Sequence, residues 1–249
     1  GGDLWRLNGM KTWTSDGIYG DWIFCLVRTA PEKPKHDGIS LVLVKMDQPG
    51  VRVRPIRLIS GDSPFAETFF EDAEAAKDDL IGPINQGWGI GKRLLQYERS
   101  VHGGVNTSGA QVEQKTQSLA EIARHYLGSG AADTRLSDLQ FRNRLLTLEM
   151  NSRAYALTQQ RIIAETQTSA PSLATSILKV KGAEFTQERT EVLQQAMGTQ
   201  GIGWENEGFT AAEIDANRDW LTTRAVSIYG GTSEIQRNII AKRVIGLRE

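Results

Sequence analysis

The residues able to do chemistry fall in three short segments. Gln96-Tyr97-Glu98-Arg99 sets a carboxylate where Leu94, Leu95 and Val101 lie at helical spacing around it. A carboxylate among apolar side chains is partly desolvated, and desolvation makes it a better general base near neutral pH. Tyr229-Gly230-Gly231-Thr232-Ser233-Glu234-Ile235-Gln236-Arg237-Asn238 places a glycine pair before a hydroxyl pair. The glycines end one helix and the hydroxyls start the next, with Ser233 and Gln236 spaced as a capping box. Such a junction leaves backbone N–H groups at a helix start, which suits an anion or a polarised carbonyl. In Asn8-Gly9-Met10-Lys11-Thr12-Trp13-Thr14-Ser15, Asn-Gly marks a tight hairpin turn and an indole precedes two hydroxyls. Trp13 offers a flat apolar face and Thr14 and Ser15 offer hydrogen bonds, a set able to receive a heteroaromatic ring.

Residue chemistry alone favours plainer readings of the same segments. Glu98-Arg99 reads as a surface pair, Gly230-Gly231 as a helix corner, and Trp13 as a core residue of a half-buried strand. Gln195-Ala196-Met197-Gly198-Thr199-Gln200-Gly201 reads as a helix C-terminus ending at Gly198. Gly87-Trp88-Gly89-Ile90-Gly91-Lys92 lacks the spacings of phosphate-binding loops. His36, His102 and His125 show no metal-ligand spacing, and no Gly-x-Ser-x-Gly elbow occurs.

Two kinds of element must position these groups. Up to about residue 82, short apolar runs alternate with turn signals. Trp22–Val27, Ile39–Val44, Val51–Leu58 and Thr68–Phe70 read as strands. Val51 to Leu58 alternates apolar and basic residues, which predicts one buried and one solvated face. From Gln86 onward the period is helical. Trp88–Tyr126, Leu136–Glu165, a helix opened by Pro171, Ala211–Ser227 and Ser233–Ile245 are the expected helices. Leu127 to Asp133 reads as an exposed connection between two of them. The fold class is therefore α+β: a small antiparallel β domain over 1–82, then an antiparallel helical bundle over 83–249.

A formal net charge of -1 favours neither nucleic acid nor an anionic membrane as partner. No apolar run approaches the roughly 18 residues of a membrane span. The first residues have no basic region or apolar core of a secretory signal. The single cysteine, Cys25, lies in an apolar run, reads as buried, and fits an intracellular protein.

Tyr229 to Asn238 resembles the C-terminal signature of the acyl-CoA dehydrogenase family, flavoproteins that desaturate acyl-CoA thioesters. Lys11-Thr12-Trp13-Thr14-Ser15 is similar to that family's flavin motif, Lys-x-Trp-x-Thr/Ser. Gln195 to Gly201 is similar to its Gln-x-x-Gly-Gly-x-Gly segment. The resemblance extends over essentially the whole chain. It implies FAD as cofactor, with Trp13 packed on the isoalloxazine and Thr14 and Ser15 near its N5 and pyrimidine edge. Gln195 and Gly198 would meet the FAD of a neighbouring subunit, and Thr232 and Glu234 would lie near FAD. Family members carry the catalytic glutamate either between the Tyr and Gly of the signature or in a Glu-Arg pair on an earlier helix. The first position is Gly230 here, so the resemblance assigns the base to Glu98. Gly230 N–H would hold the thioester oxygen with a flavin ribityl hydroxyl, and Tyr97, Arg99, Tyr229 and Gly231 would line the substrate.

The resemblance further implies an acyl-CoA substrate, electron-transfer flavoprotein as electron acceptor, and a dimer or tetramer. It implies a bacterial cytoplasmic location, with the mitochondrial matrix as the alternative. Two other functions fit the same pattern: a non-catalytic partner subunit of a hetero-oligomer, or an oxidase or monooxygenase relative. The family's first helical domain and its Thr-Glu-Pro-x-Ala-Gly-Ser-Asp loop have no counterpart. No Arg-x-x-Phe-Gly motif lies between Tyr126 and Leu136, although Arg124 is nearby. These departures imply part of a longer protein, inactive and weak in FAD binding as a separate piece.

Overall fold

The computed structural model describes residues 3–102, 118–128, 136–168, 174–205 and 208–247. The chain divides into two compact units, Gly1–Gln96 and Tyr97–Glu249.

The first unit holds two three-stranded sheets. One has the order β1 (Leu4–Ser15), β5 (Phe65–Ala76), β4 (Val51–Ile56). The other has the order β2 (Trp22–Arg28), β3 (Ile39–Lys45), β6 (Leu80–Ile81), and all strand pairs are antiparallel. Leu7, Phe70, Ala73 and Ala75 of the first sheet cluster with Cys25, Val42 and Val44 of the second. On β4 the alternation gives the expected two faces. Arg52 and Arg54 are exposed, and Arg54 pairs with Glu67 across the ladder at 2.6 Å.

Several sequence expectations are corrected here. Asn8-Gly9 is no turn: β1 runs through it for 12 residues. The irregularity there belongs to the β1–β5 register, where the Asn8 amide donates to Asp72 Oδ1 at 2.9 Å and accepts from Asp72 N–H at 2.8 Å. An Asn side chain that can bridge a bulge satisfies the backbone as a turn would. β4 stops at Ile56 because Leu58 N–H donates to Asp62 O in the following turn. β5 is longer than Thr68–Phe70, since small residues (Ala66, Thr68, Ala73, Ala75) form much of its buried face and carry little hydrophobic signal.

In the second unit, α4 (Thr175–Met197) is the central element. It packs against α2 (Leu119–Leu127), α3 (Leu139–Thr168), α5 (Ala211–Thr222) and α6 (Ser233–Ile239). The first turns of α4 are buried nearly all round, through Thr175, Ser176, Leu178, Lys179, Val180 and Ala183. Leu119, Ala123, Phe141, Leu148, Val192 and Ala196 form one core cluster, and Ile162 with Leu178 a second. The expected helix Trp88–Tyr126 is observed as α1 (Gly87–His102) and α2. Of the expected connection Leu127–Asp133, Leu127 closes α2 and Gly128 caps it, while residues 129–133 and Pro171 lie outside the described residues. The expected Ala211–Ser227 helix tightens into a 3₁₀ run at Thr223–Ser227, and α6 passes into a π turn at Ile240–Ile245.

The capping assignment also changes. Thr232, not Ser233, caps α6: its Oγ1 accepts from Ile235 N–H at 3.3 Å. Gln236 does not reach back to the cap. Its Nε2 donates to Gly230 O at 2.8 Å.

Candidate active-site elements

In the first unit, Trp13, Thr14 and Ser15 line a cleft of about 490 Å³. β1 takes three steps between Lys11 and Thr14 where β5 takes two, between Thr68 and Ala66. A bulge of this kind re-aims a side chain. Trp13 takes the left-handed conformation there, φ 60, and its indole is 61% exposed. The core placement expected for Trp13 is therefore corrected. Its ring meets only the edge of Phe65 in a T-shaped contact at 5.9 Å between centroids, among the described residues. A left-handed non-glycine residue costs about 1–2 kcal/mol. Strain of this kind persists where surrounding structure over-determines it, and it gathers at ligand sites.

The cleft lies in the roughly 300–1,000 Å³ range of cofactor-sized sites. Trp22, Phe24, Trp88, Leu94 and Leu95 add apolar wall that sequence reasoning did not assign to a site. The available signal was β2 itself: Trp22 and Phe24 alternate with Ile23 and Cys25, so both strand faces are apolar. Thr14 Oγ1 accepts from Thr68 Oγ1 at 3.2 Å, and Lys11 Nζ donates to Leu26 O at 2.8 Å. These bonds hold the polar rim in place. A flat ring system with a polar edge fits this wall and rim.

In the second unit, the Tyr229-Gly230-Gly231 turn follows the 3₁₀ run Thr223–Ser227. Three α4 side chains anchor that run. Lys179 Nζ donates to Val226 O at 2.8 Å, Gln187 Nε2 to Thr223 O at 3.0 Å, and Thr190 Oγ1 bonds Thr223 Oγ1 at 3.0 Å. The N–H groups of Ile228 and Tyr229 both donate to Ala225 O. Gly230 N–H, the next in line, has no acceptor among the described residues. Gly230 and Gly231 have φ 64 and 91, which only glycine adopts readily. A Cβ on Gly231 would come within 2.5 Å of Gln236 Nε2.

Glu98 is half-buried and interacts electrostatically with Lys179, whose ammonium also lies 5.9 Å from the centre of the Tyr229 ring. Lys179 thus stands beside the Tyr229 ring that precedes the glycine turn and feels the charge of Glu98. Burial lowers the Lys179 pKa and the Glu98 charge partly restores it. Burial raises that of Tyr229. Tyr97 is exposed, and the Arg99 side chain lies outside the described residues. Sequence reasoning passed over Lys179 because nothing in a helical period shows a lysine on a face that is buried.

Gln195 and Gly198 sit apart from this cluster. Gln195 is 16 residues beyond Lys179 on α4, roughly 24 Å at 1.5 Å per residue. Its Oε1 accepts from Arg144 Nη1 at 2.5 Å. Gly198, at φ 55, closes α4 as expected for a helix end. Thr232 is engaged as the α6 cap, and exposed Glu234 lies in the first turn. The Glu234 carboxyl is held below its usual range by its own backbone N–H, by the Thr232 hydroxyl and by Arg237.

Comparison with known proteins bears on both units. Residues 85–245 match the acyl-CoA dehydrogenase C-terminal domain, and residues 1–73 match the acyl-CoA dehydrogenase middle domain. The acyl-CoA dehydrogenase IpdE1 of Mycolicibacterium smegmatis is 36% identical over 99% of this chain, which spans 59% of that protein's length. The crystal structure of an acyl-CoA dehydrogenase from Geobacillus kaustophilus is 26% identical with a TM-score of 0.79, covering 98% of this chain and 62% of that one. The ChsE4-ChsE5 complex from Mycobacterium tuberculosis shares the fold at 23% identity, with a TM-score of 0.78, 100% of this chain covered and 63% of that one.

Proposed function

Because this chain belongs to the acyl-CoA dehydrogenase family, we propose that it carries out the α,β-dehydrogenation of an acyl-CoA thioester with FAD as cofactor. The observation that carries this reading is the pairing of a half-buried carboxylate, Glu98, with a side-chain-free Gly230 whose N–H has no acceptor among the described residues. Glu98 takes the α-proton. Gly230 N–H donates to the thioester oxygen, where negative charge builds as that proton leaves, and a preorganised donor of this kind contributes about 3–4 kcal/mol. Tyr97, Arg99, Tyr229 and Gly231 line the acyl group.

FAD, when bound, supplies the acceptor for the β-hydride at N5. The exposed face of Trp13 would pack on its ring, with Thr14 and Ser15 toward the polar edge. Thr232 and Glu234 would lie near the cofactor, and Gln195 and Gly198 would meet that of a neighbouring copy. Leu139, Leu146, Met150 and Leu157 follow one another at intervals of 7, 4 and 7 along α3, and all are exposed. Such a stripe supports self-association as a dimer or tetramer. β6 ends at Ile81 and α1 starts at Gly87, which supports a boundary between a β domain 1–82 and a helical domain 83–249. Electron-transfer flavoprotein is the proposed electron acceptor and a bacterial cytoplasm the proposed location. Among the described residues no helix is long and apolar enough to cross a membrane.

The test is Glu98→Gln in the flavin-loaded enzyme. Shape and flavin content should persist while turnover with acyl-CoA falls by about 10²–10⁴. Activity within about tenfold of wild type refutes Glu98 as the base. A second reading, a partner subunit within a hetero-oligomer, draws on the two-component ChsE4-ChsE5 complex. It predicts that the variant changes nothing because another chain holds the working base.

A further inference from the structure

The second unit contains a lysine and a glutamine that the chemistry above does not use, both buried beside the glycine turn. Lys179 is 2% exposed and Gln236 is 1% exposed. A buried ammonium is costly unless its protons find acceptors and its charge finds a partner. Lys179 finds both in the turn and the base. It donates to Val226 O at 2.8 Å, faces the Tyr229 ring, and interacts with Glu98. Gln236 approaches from α6 and donates from Nε2 to Gly230 O at 2.8 Å. The Gln236 Oε1 is buried and has no partner among the described residues, so the bond from Nε2 to the turn is the one its amide makes there.

The carbonyl of Val226 precedes the turn and that of Gly230 lies within it. One bond therefore fixes the chain entering the turn and the other fixes the peptide plane just after the Gly230 N–H. Glycine at both central positions gives the turn no rigidity of its own. We propose that Lys179 and Gln236 are positioning residues, a two-sided clamp that holds the Gly230 N–H in register with the thioester oxygen while Lys179 also orients Glu98. The inference rests on the acyl-CoA dehydrogenase reading above. It assigns neither residue to the reacting atoms.

A clamp on a transition-state donor has a kinetic signature that plain structural support lacks. Misplacement by about 1 Å costs up to roughly 10²-fold in rate. An interaction made mainly in the transition state lowers kcat and leaves KM nearly unchanged. Lys179→Met and Gln236→Met keep side-chain length and remove the donors. In flavin-loaded enzyme, with an acyl-CoA that wild type turns over, each variant should lower kcat by about 10- to 100-fold with KM within about threefold. The double variant should fall short of the product of the singles, because both act on one turn. A kcat within twofold of wild type in either folded variant overturns the clamp, as does a rise in KM at constant kcat. Should Lys179→Met lose its helical circular dichroism, the same split read on Gln236→Met decides the matter. If wild type turns over no acyl-CoA, the functional reading fails before the clamp is reached, so the two failures are distinguishable.

Discussion

Replacing Trp13 by glycine sets the strain at this residue against the contacts its indole makes. A tryptophan truncated in a packed core costs about 3–5 kcal/mol. Trp13 is not so placed. Its indole is 61% exposed, and its one ring contact among the described residues is the edge of Phe65. Losing that contact costs about 0.5–1.5 kcal/mol beyond lost area. Against this stands φ 60, where glycine relieves about 1–2 kcal/mol of left-handed strain. Glycine in a strand then returns a penalty of about 0.5–1 kcal/mol through chain entropy. The buried two-fifths of the residue adds about 2 kcal/mol of lost burial, so strain relief offsets only part of the loss, and the net destabilisation should be about 1–3 kcal/mol, or roughly 2–12 °C in Tm for a chain of this size. Flavin retention should behave differently, because the face offered to the ring is gone. Calorimetry on apo-protein and visible absorbance after gel filtration read the two effects separately. The expected result is a Tm lowered by no more than about 12 °C and higher than that of Trp13→Ala, which loses the same contacts and keeps the strained backbone, together with cofactor affinity lowered by at least tenfold. A glycine variant no more stable than Trp13→Ala, or full retention of flavin, would refute the argument that Trp13 is held in a strained conformation for a ligand.

Three further outcomes are expected. Glu98→Gly with Gly230→Glu should recover activity to well above the Glu98→Gly single, since Lys179 stands beside Tyr229, feels the charge of Glu98 and can attract a carboxylate from either place; the cost is about 1 kcal/mol for helix glycine and 1–2 for φ 64, so the protein stays folded, and a folded double variant as slow as the single would count against it. Burial pushes the Cys25 thiol from 9.0 up to about 11, opposed weakly by Lys11. The folded pKa is raised, so the stabilisation is complete below pH 9 and is lost as pH rises toward 11; denaturant titrations at pH 8 and 10.5 should show a larger loss in wild type than in Cys25→Ala, where the raised tyrosines alone contribute. Met150→Glu with Leu157→Glu should reduce the assembly seen by light scattering without loss of helix, because both side chains are exposed on α3 within the protomer; an unchanged molar mass would place the contact elsewhere.

Period and punctuation carried the architecture. The change from short apolar runs to helical spacing near residue 82 placed β1–β6 before α1–α6, because burial of one face imposes a period of 2 or 3.6 on any chain. Glycine at 198 ended α4 as read, since only a residue without Cβ adopts that backbone easily. The reach of β5 stayed hidden because alanine and threonine can fill a core face without a hydrophobic signature. The local text also misled at two places. Asn8-Gly9 looks like a turn, yet its side chain completes a bulge against Asp72, 64 residues away. Ser233 looks like a cap, yet the chain direction leaving Gly231 gives that role to Thr232. Motif wording pointed to Glu98 and Gly230. What surrounds them came only from packing. Lys179 lies in a helix whose first turns are buried nearly all round, which brings its charge to the Tyr229 ring and within the influence of Glu98. The exposure of Trp13 depends on one extra residue in β1 relative to β5. Contacts between residues far apart in the chain set both, and no local pattern encodes them.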